Sequence, residues 1–292
     1  TNNKPEKRER EVLQSGGTYR LTTAERKRIL IEHIYGVDID RQAVEVTKLS
    51  LLLKVLEGES DESIEKQRTM QLFHERVLPS LENNIKCGNS LIGSDYFSGK
   101  LISDHGELKR VNPFPWETEF PEAIKAGGFD CVIGNPPYGA EFQENCTEYL
   151  KDKYITFASR GESYVLFTEK GISILKINGY LGYIIPDTYL NLGFTQALRE
   201  FILKNSLVKE LVLLPATIFE NATVDTTLLI VSKDKYIERF YNSLVDIKVF
   251  GKKDIISSVH APERNFKIDT GTWMKNNAFN VQTDESEYKV ID

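Results

Sequence analysis

Phe129-Asp130-Cys131-Val132-Ile133-Gly134-Asn135-Pro136-Pro137-Tyr138 is the stretch on which the reading of this chain turns. Five of its first six residues read as a buried strand, and Gly134 lets the chain turn out of it. The two prolines fix φ twice and contribute no backbone donors. The residue before them is pushed towards extended geometry. The turn is therefore rigid, and it holds an amide (Asn135) and a phenol ring (Tyr138) just beyond a strand end, where open α/β sheets place their sites. Taken by itself, the tetrapeptide reads equally well as a proline turn opened by Asn.

Working outward from this stretch, helices alternate with strands. Downstream, after a mobile-looking loop over 139–161, a helix is expected from Tyr164 to Lys176. Asn178-Gly179 turns it into the strand Tyr180–Pro186, and a helix from Thr195 to Lys204 leads to the strand Val208–Leu214. The strand Thr226–Ser232 follows with no helix before it, which predicts an antiparallel return. Upstream, Thr22 or Thr23 is placed to cap a helix running through Leu30, and a short strand then ends in Asp38-Ile39-Asp40. A helix from Arg41 to about Glu57 carries Ala43, Val44, Thr47, Leu51 and Val55 at helical spacing. Residues 58–82 read as a charged turn and a helix with Met70, Phe73 and Val77 on one face. The strand Asn84–Cys87 ends at Gly88-Asn89-Ser90-Leu91, and residues 93–128, rich in Gly, Pro and charge, read as an irregular excursion. The expected class is α/β, a mostly parallel doubly wound sheet with a C-terminal antiparallel strand. The expected organisation is a charged, helical lead-in over 1–30, a core over 31–234, and the beginning of another unit over 235–292.

Composition bounds the function. Of 292 residues, 40% are hydrophobic and 27% charged, as in a soluble globular protein. The apolar runs are too short to span a membrane, and the opening Thr-Asn-Asn-Lys-Pro-Glu-Lys-Arg lacks the apolar core of a signal peptide. Three cysteines without a CxxC and four scattered histidines argue against a zinc site or a disulfide framework, and a reducing cytoplasm fits. The net charge of −6 argues against a free-standing nucleic-acid binder; residues 29–234 hold 20 basic and 30 acidic residues. Any phosphate contacts must come mostly from elsewhere.

Three strand ends carry candidate chemistry. Asp38 stands where α/β nucleotide folds place an acid against ribose hydroxyls, although Asp40 competes with it as a helix cap. Asn89 suits either a purine edge or a turn. Asn135 to Tyr138 ends the third strand. The ordered set Gly36-Val37-Asp38-Ile39-Asp40, Cys87-Gly88-Asn89-Ser90-Leu91 and Asn135-Pro136-Pro137-Tyr138 resembles the N6-adenine DNA methyltransferases. Within them it looks like the large branch fused to or partnered with restriction systems, type IIG and related phage-defence enzymes. The resemblance covers roughly residues 25–234, and includes Gly179 to Pro186 and Ile218 to Thr226.

The resemblance implies a Rossmann-like S-adenosylmethionine-dependent methyltransferase fold acting on duplex DNA, with a fused or partner nuclease and no membrane association. It makes Asn135 Oδ1 and the Pro136 carbonyl acceptors for the amino hydrogens of a flipped-out adenine, with Pro137 completing the turn. Tyr138 and Phe219 become aromatic contacts to that base. No strong general base is needed, in keeping with the absence of a site histidine. On the cofactor side it gives Asp38 the ribose hydroxyls, Ile39 an apolar adenine contact, and Asn89 with Ser90 the adenine edge, where the family often has Asp. Pro137 and Phe167 become adenine-face contacts, with helix–sheet packing the plainer reading of Phe167. The family's Gly-rich first motif, expected before Asp38, is missing, and Ser15-Gly16-Gly17 does not replace it. The chain thus reads as a fragment, incomplete at its N-terminus, expected to bind cofactor weakly and not to methylate DNA alone. Residues 235–292 would begin a target-recognition region. The alternatives are a protein glutamine methyltransferase, which shares the tetrapeptide, and a non-catalytic methyltransferase-like scaffold. A nicotinamide oxidoreductase lacks its glycine fingerprint here.

Overall fold

Side-chain caps set the starts of the first two long helices, at the residues the sequence marks. In the computed structural model Thr22 Oγ1 accepts from Glu25 N at 3.2 Å, opening α1 (Thr23–His33). Asp40 Oδ1 accepts from Gln42 N at 2.8 Å, opening α2 (Arg41–Leu56). Each satisfies one of the amide donors a helix start leaves without an intrahelical partner. The structure describes residues 12–15, 18–57, 79–98, 105–139, 142, 144–158, 161–215, 218–219, 224–235, 243–251, 262–276 and 278–281. The expected helix with Met70, Phe73 and Val77 lies outside them. So do Gly16 and Gly17, and Glu220 to Thr223. The chain divides into two units, Thr1–Glu119 and Phe120–Asp292.

In the first unit, strands Val12–Ser15 (β1) and Thr18–Leu21 (β2) pair antiparallel in the stretch read as a charged lead-in. Strand β3 (Gly36–Asp38) pairs in parallel with β4 (Ile85–Cys87). Helices α1 and α2 bury Leu30, Val44 and Val55 together with Leu81 and Ile85. The buried Asn84 amide donates to the carbonyls of Ile31 (2.7 Å) and Ile34 (2.9 Å), fixing the end of α1 to the start of β4. The described part of 93–128 is less irregular than expected: it holds a 3₁₀ turn at Ser94–Phe97 and two short helices in this unit, α3 (His105–Val111) and α4 (Trp116–Glu119), and a third in the second unit, α5 (Pro121–Lys125). Each is too short to repeat a 3.6-residue pattern recognisably.

The second unit is built on β5 (Phe129–Gly134), β6 (Leu175–Pro186), β7 (Ser206–Leu213), β8 (Thr226–Lys233), β9 (Leu244–Val249) and β10 (Arg264–Asp269). Their order among the described residues is β10-β9-β7-β8-β6-β5. Strand β5 is parallel to β6, and β7 to β9. Strand β8 lies antiparallel between β6 and β7, so those two run the same way. Helices α6 (Glu144–Lys153), α7 (Ser163–Ser173), α8 (Gln196–Asn205) and α9 (Thr270–Asn276) complete it. Tyr164, Leu181, Ile185, Leu198, Leu211 and Leu229 lie in its core.

Four further expectations change. The loop over 139–161 contains α6. The Asn178-Gly179 turn falls inside β6 as an irregularity, with Asn178 at φ 66° and the ladder to β5 shifting between Phe129 and Cys131. Strand β5 is a strand but not a buried one: Asp130, Cys131, Ile133 and Gly134 are exposed, Ile133 by 81%. It stands at the edge of the sheet, with β6 as its one neighbour among the described residues. Nor is residue 234 a boundary of the sheet, because β9 and β10 continue it and Val245, Ile247, Ile268 and Trp273 share its core.

Candidate active site

At the end of β5 the backbone leaves the sheet at Gly134, where an added Cβ would stand 3.0 Å from Tyr183 Cε1 on β6. Glycine suits this close approach of two strands. The four residues that follow alternate in burial: Asn135 is exposed, Pro136 buried, Pro137 exposed and Tyr138 half-buried. Tyr138 Oη lies 2.7 Å from Asn135 Oδ1 and 3.0 Å from the Ile184 carbonyl of β6. Its ring meets Tyr164 edge-on, with centroids 6.5 Å apart. Burial raises the Tyr138 pKa, so the phenol keeps its proton through the neutral range. Ser163, buried at the start of α7, donates its hydroxyl to the Pro137 carbonyl at 2.6 Å. The Pro136 carbonyl receives no such bond among the described residues.

Because β5, β6 and β7 run in one direction, their C-terminal ends share one edge of the sheet. That edge carries Asn135 to Tyr138, the 3₁₀ turn Asp187–Leu190, and the connection from β7 to β8 that contains half-buried Phe219. The topology thus brings Phe219 to the edge that holds Tyr138. Phe167 on α7 packs against the core of the unit, the plainer of its two readings. Pro137 is exposed and held by Ser163.

At the ends of β3 and β4 the competition between two acids is resolved. Asp40 caps α2, and Asp38 does not. Exposed Asp38 uses Oδ1 to accept from Asp40 N at 2.8 Å, closing a two-residue turn. Ile39 is 58% exposed, and its carbonyl accepts from the Cys87 thiol at 3.4 Å. Gly88 N donates to the Asp38 carbonyl at 2.8 Å, linking the two strand ends. An added Cβ at Gly88 would stand 2.7 Å from the Phe114 ring, a contact only glycine avoids. Asn89 Oδ1 accepts from Leu91 N at 3.1 Å, and Asn89 N donates to the Asn112 carbonyl at 2.6 Å. The Ser90 carbonyl accepts from the Trp116 indole at 3.0 Å.

The structure thus groups Asp38, Ile39, Asn89 and Ser90 at one pair of strand ends, and Asn135, Pro136, Pro137, Tyr138 and Phe219 along one edge of the larger sheet. Four supports came from outside the motifs: Ser163, Tyr164, Phe114 and Trp116. A fifth, the Ile184 carbonyl, lies within the stretch Gly179 to Pro186 but has no side-chain signal of its own. Ser163 gives one local hint, a hydroxyl residue opening a helix. Tyr164, Phe114 and Trp116 give none, because their partners lie far from them in sequence.

Residues 32–219 match the Eco57I restriction-modification methylase family. The chain belongs to that family. Its relatives include the type II restriction enzyme and methyltransferase RM.Eco57I of Escherichia coli, 31% identical over 88% of this chain and 24% of that protein. The type II methyltransferase M.BstVI of Geobacillus stearothermophilus is 30% identical over 52% of this chain and 28% of its own. The chain therefore spans about a quarter of the length of these relatives. Among solved structures, a nuclease-deletion mutant of the Type ISP restriction-modification enzyme LlaGI, in complex with a DNA substrate mimic, has a TM-score of 0.57. It is 14% identical and covers 94% of this chain and 23% of that one. The resemblance read from three strand-end motifs holds at the level of the family, and the fold is the Rossmann-like α/β methyltransferase fold.

Proposed function

We propose that this member of the Eco57I family is the catalytic part of a DNA methyltransferase from a restriction–modification system. It transfers a methyl group from S-adenosylmethionine to N6 of an adenine turned out of duplex DNA. One observation carries the reading: the turn at the end of β5 presents an exposed Asn135 amide beside a Pro136 carbonyl that no described residue occupies. The adenine amine is a poor nucleophile because its lone pair is delocalised into the ring. Two fixed acceptors on its hydrogens favour the form with a lone pair directed at the incoming methyl carbon. The diproline turn holds them without reorganisation, and the sheet edge supplies position. An adenine inside a duplex cannot reach these acceptors, so it must be extruded, with Tyr138 and Phe219 as aromatic contacts.

The residues at the ends of β3 and β4 fit the adenosine part of the cofactor. Asp38 is exposed and spends one oxygen on its turn, which leaves the other for a ribose hydroxyl. Exposed Ile39 offers apolar surface, and Asn89 with Ser90 offers polar groups for the adenine edge. Phe167 and Pro137 are retained as candidate adenine-face contacts. When bound, S-adenosylmethionine supplies a methyl group on a sulfonium, a good leaving group. Duplex DNA is the proposed partner, through surfaces largely outside this acidic chain, and the name of the Escherichia coli relative suggests a nuclease in the same system. Residues 235–292, of which β9 and β10 continue the sheet, are proposed to be a linker and the beginning of a target-recognition region.

The test is incubation of the whole methyltransferase that contains this chain with tritiated S-adenosylmethionine and duplex DNA, followed by digestion to nucleosides; this chain by itself is expected to leave the DNA unlabelled. Label in N6-methyldeoxyadenosine supports the proposal. Label in cytosine, or in a protein glutamine with none in DNA, overturns it. Calorimetric titration of S-adenosylmethionine beside Asp38→Ala tests the cofactor side separately. We expect about tenfold to a hundredfold weaker binding in the variant, the scale of a charge-assisted hydrogen bond.

A further inference from the structure

The Tyr138 hydroxyl has one proton and two oxygen neighbours, Asn135 Oδ1 at 2.7 Å and the Ile184 carbonyl at 3.0 Å. Ile184 can only accept. Burial keeps the phenol protonated, so a phenolate does not relieve the competition. If the proton goes to Ile184, the short contact to Asn135 is favourable only when the amide is the donor. An amide donates only through its nitrogen. The oxygen and nitrogen of a side-chain amide are distinguished by their partners, so this choice belongs to the hydrogen-bond network.

We infer that the Tyr138 hydroxyl is a positioning group for the Asn135 amide: it donates to Ile184 and accepts from Asn135 Nδ2. Asn135 Oδ1 is thereby turned to the open side of the turn. The inference rests on the reading of Asn135 as an acceptor for an adenine amine, and it explains how the acceptor is selected. An amide in the opposite orientation would meet that amine with its own NH₂, donor against donor. The anchor of the relay is firm. Ile184 lies within β6, opposite Leu228 of β8, and the Tyr138 ring is held edge-on by Tyr164. Tyr138 thus has two separable parts, a ring face for stacking and a hydroxyl that orients its neighbour three residues back.

The experiment compares the side-chain amide resonances of Asn135 in ¹⁵N-labelled wild-type protein and in Tyr138→Phe, with Asn135→Asp identifying the signals. The expected result is one proton shifted downfield in the wild type, moving towards the value of a free amide in Tyr138→Phe while backbone resonances away from the turn stay in place. Unchanged Asn135 signals in Tyr138→Phe overturn the inference. Neutron diffraction from the wild type gives a second readout that needs no variant. A deuteron on Tyr138 directed at Ile184 supports the relay, and one directed at Asn135 overturns it. Both readouts need neither substrate nor turnover. Failure of the underlying functional reading shows differently, as a whole wild-type enzyme containing this chain that leaves adenine N6 unmethylated. With turnover, Tyr138→Phe is expected to lower kcat about tenfold with little change in KM, and a wild-type kcat overturns the proposed role.

Discussion

The two groups of motif residues are held in opposite ways. At the end of β5 the polar groups reach to distant elements: Tyr138 to Ile184, 46 residues away, and Pro137 to Ser163, 26 residues away. At the ends of β3 and β4 the side chains close their own turns, Asp38 onto Asp40 and Asn89 onto Leu91, each two residues away. Aromatic packing from Phe114 and Trp116 supports those turns from behind. The difference matches the proposed tasks. An acceptor that must act on a developing lone pair gains from tertiary restraint, since misplacement costs rate. A binding turn needs its side chains available, and here the distant ties fall on backbone groups and leave the side chains to bond within their own turns.

The comparison is sharpened most by Asn135→Ala. Removing one preorganised group is expected to lower kcat for N6 methylation by about 10² to 10³-fold, with cofactor affinity little changed. Methyl-transfer kinetics beside calorimetry measure both, and a matching loss of cofactor affinity would erase the proposed division of labour. Gly88→Ala acts on the other group. A methyl group driven against Phe114 is expected to cost about 1–3 kcal/mol of stability. Urea unfolding followed by Trp116 fluorescence would report it, and a midpoint equal to wild type would show that the packing behind this turn yields. Ser163→Ala is the mildest. It removes the side-chain bond that the Pro137 carbonyl receives among the described residues, for about 1 kcal/mol. Thermal unfolding measures that loss. If the end of β5 held its geometry without distant ties, this change would leave the Asn135 resonances and the melting temperature where they were.

Much of this organisation is legible in the sequence because it is local. The caps Thr22 and Asp40, the helical spacing of Val44 and Val55, and the strand ends at Asp38, Cys87 and Gly134 are all set by neighbours within a turn or two. What escapes is set by distant partners. The apolar run before Asn135 reads the same whether a strand lies inside a sheet or at its edge, so the exposure of Ile133 cannot be read from it. The helices within 93–128 are too short to show a period. That β9 and β10 extend the larger sheet follows from the pairing of β9 with β7 and of β10 with β9, which local composition does not encode. Ser163 gains its meaning from a carbonyl many residues upstream, and no spacing rule points to it.

The place of β8 has a consequence for the order of assembly. Strands β6 and β7 each pair with β8 and not with one another, yet β8 is the last of the three to be synthesised. A nascent chain that has emerged only through Leu213 holds both outer strands with no ladder to join them. Closing the chain over that span costs conformational entropy before any pairing compensates. The centre of the sheet, and with it the strand that carries the Ile184 carbonyl, is completed only when residues 226–233 leave the ribosome.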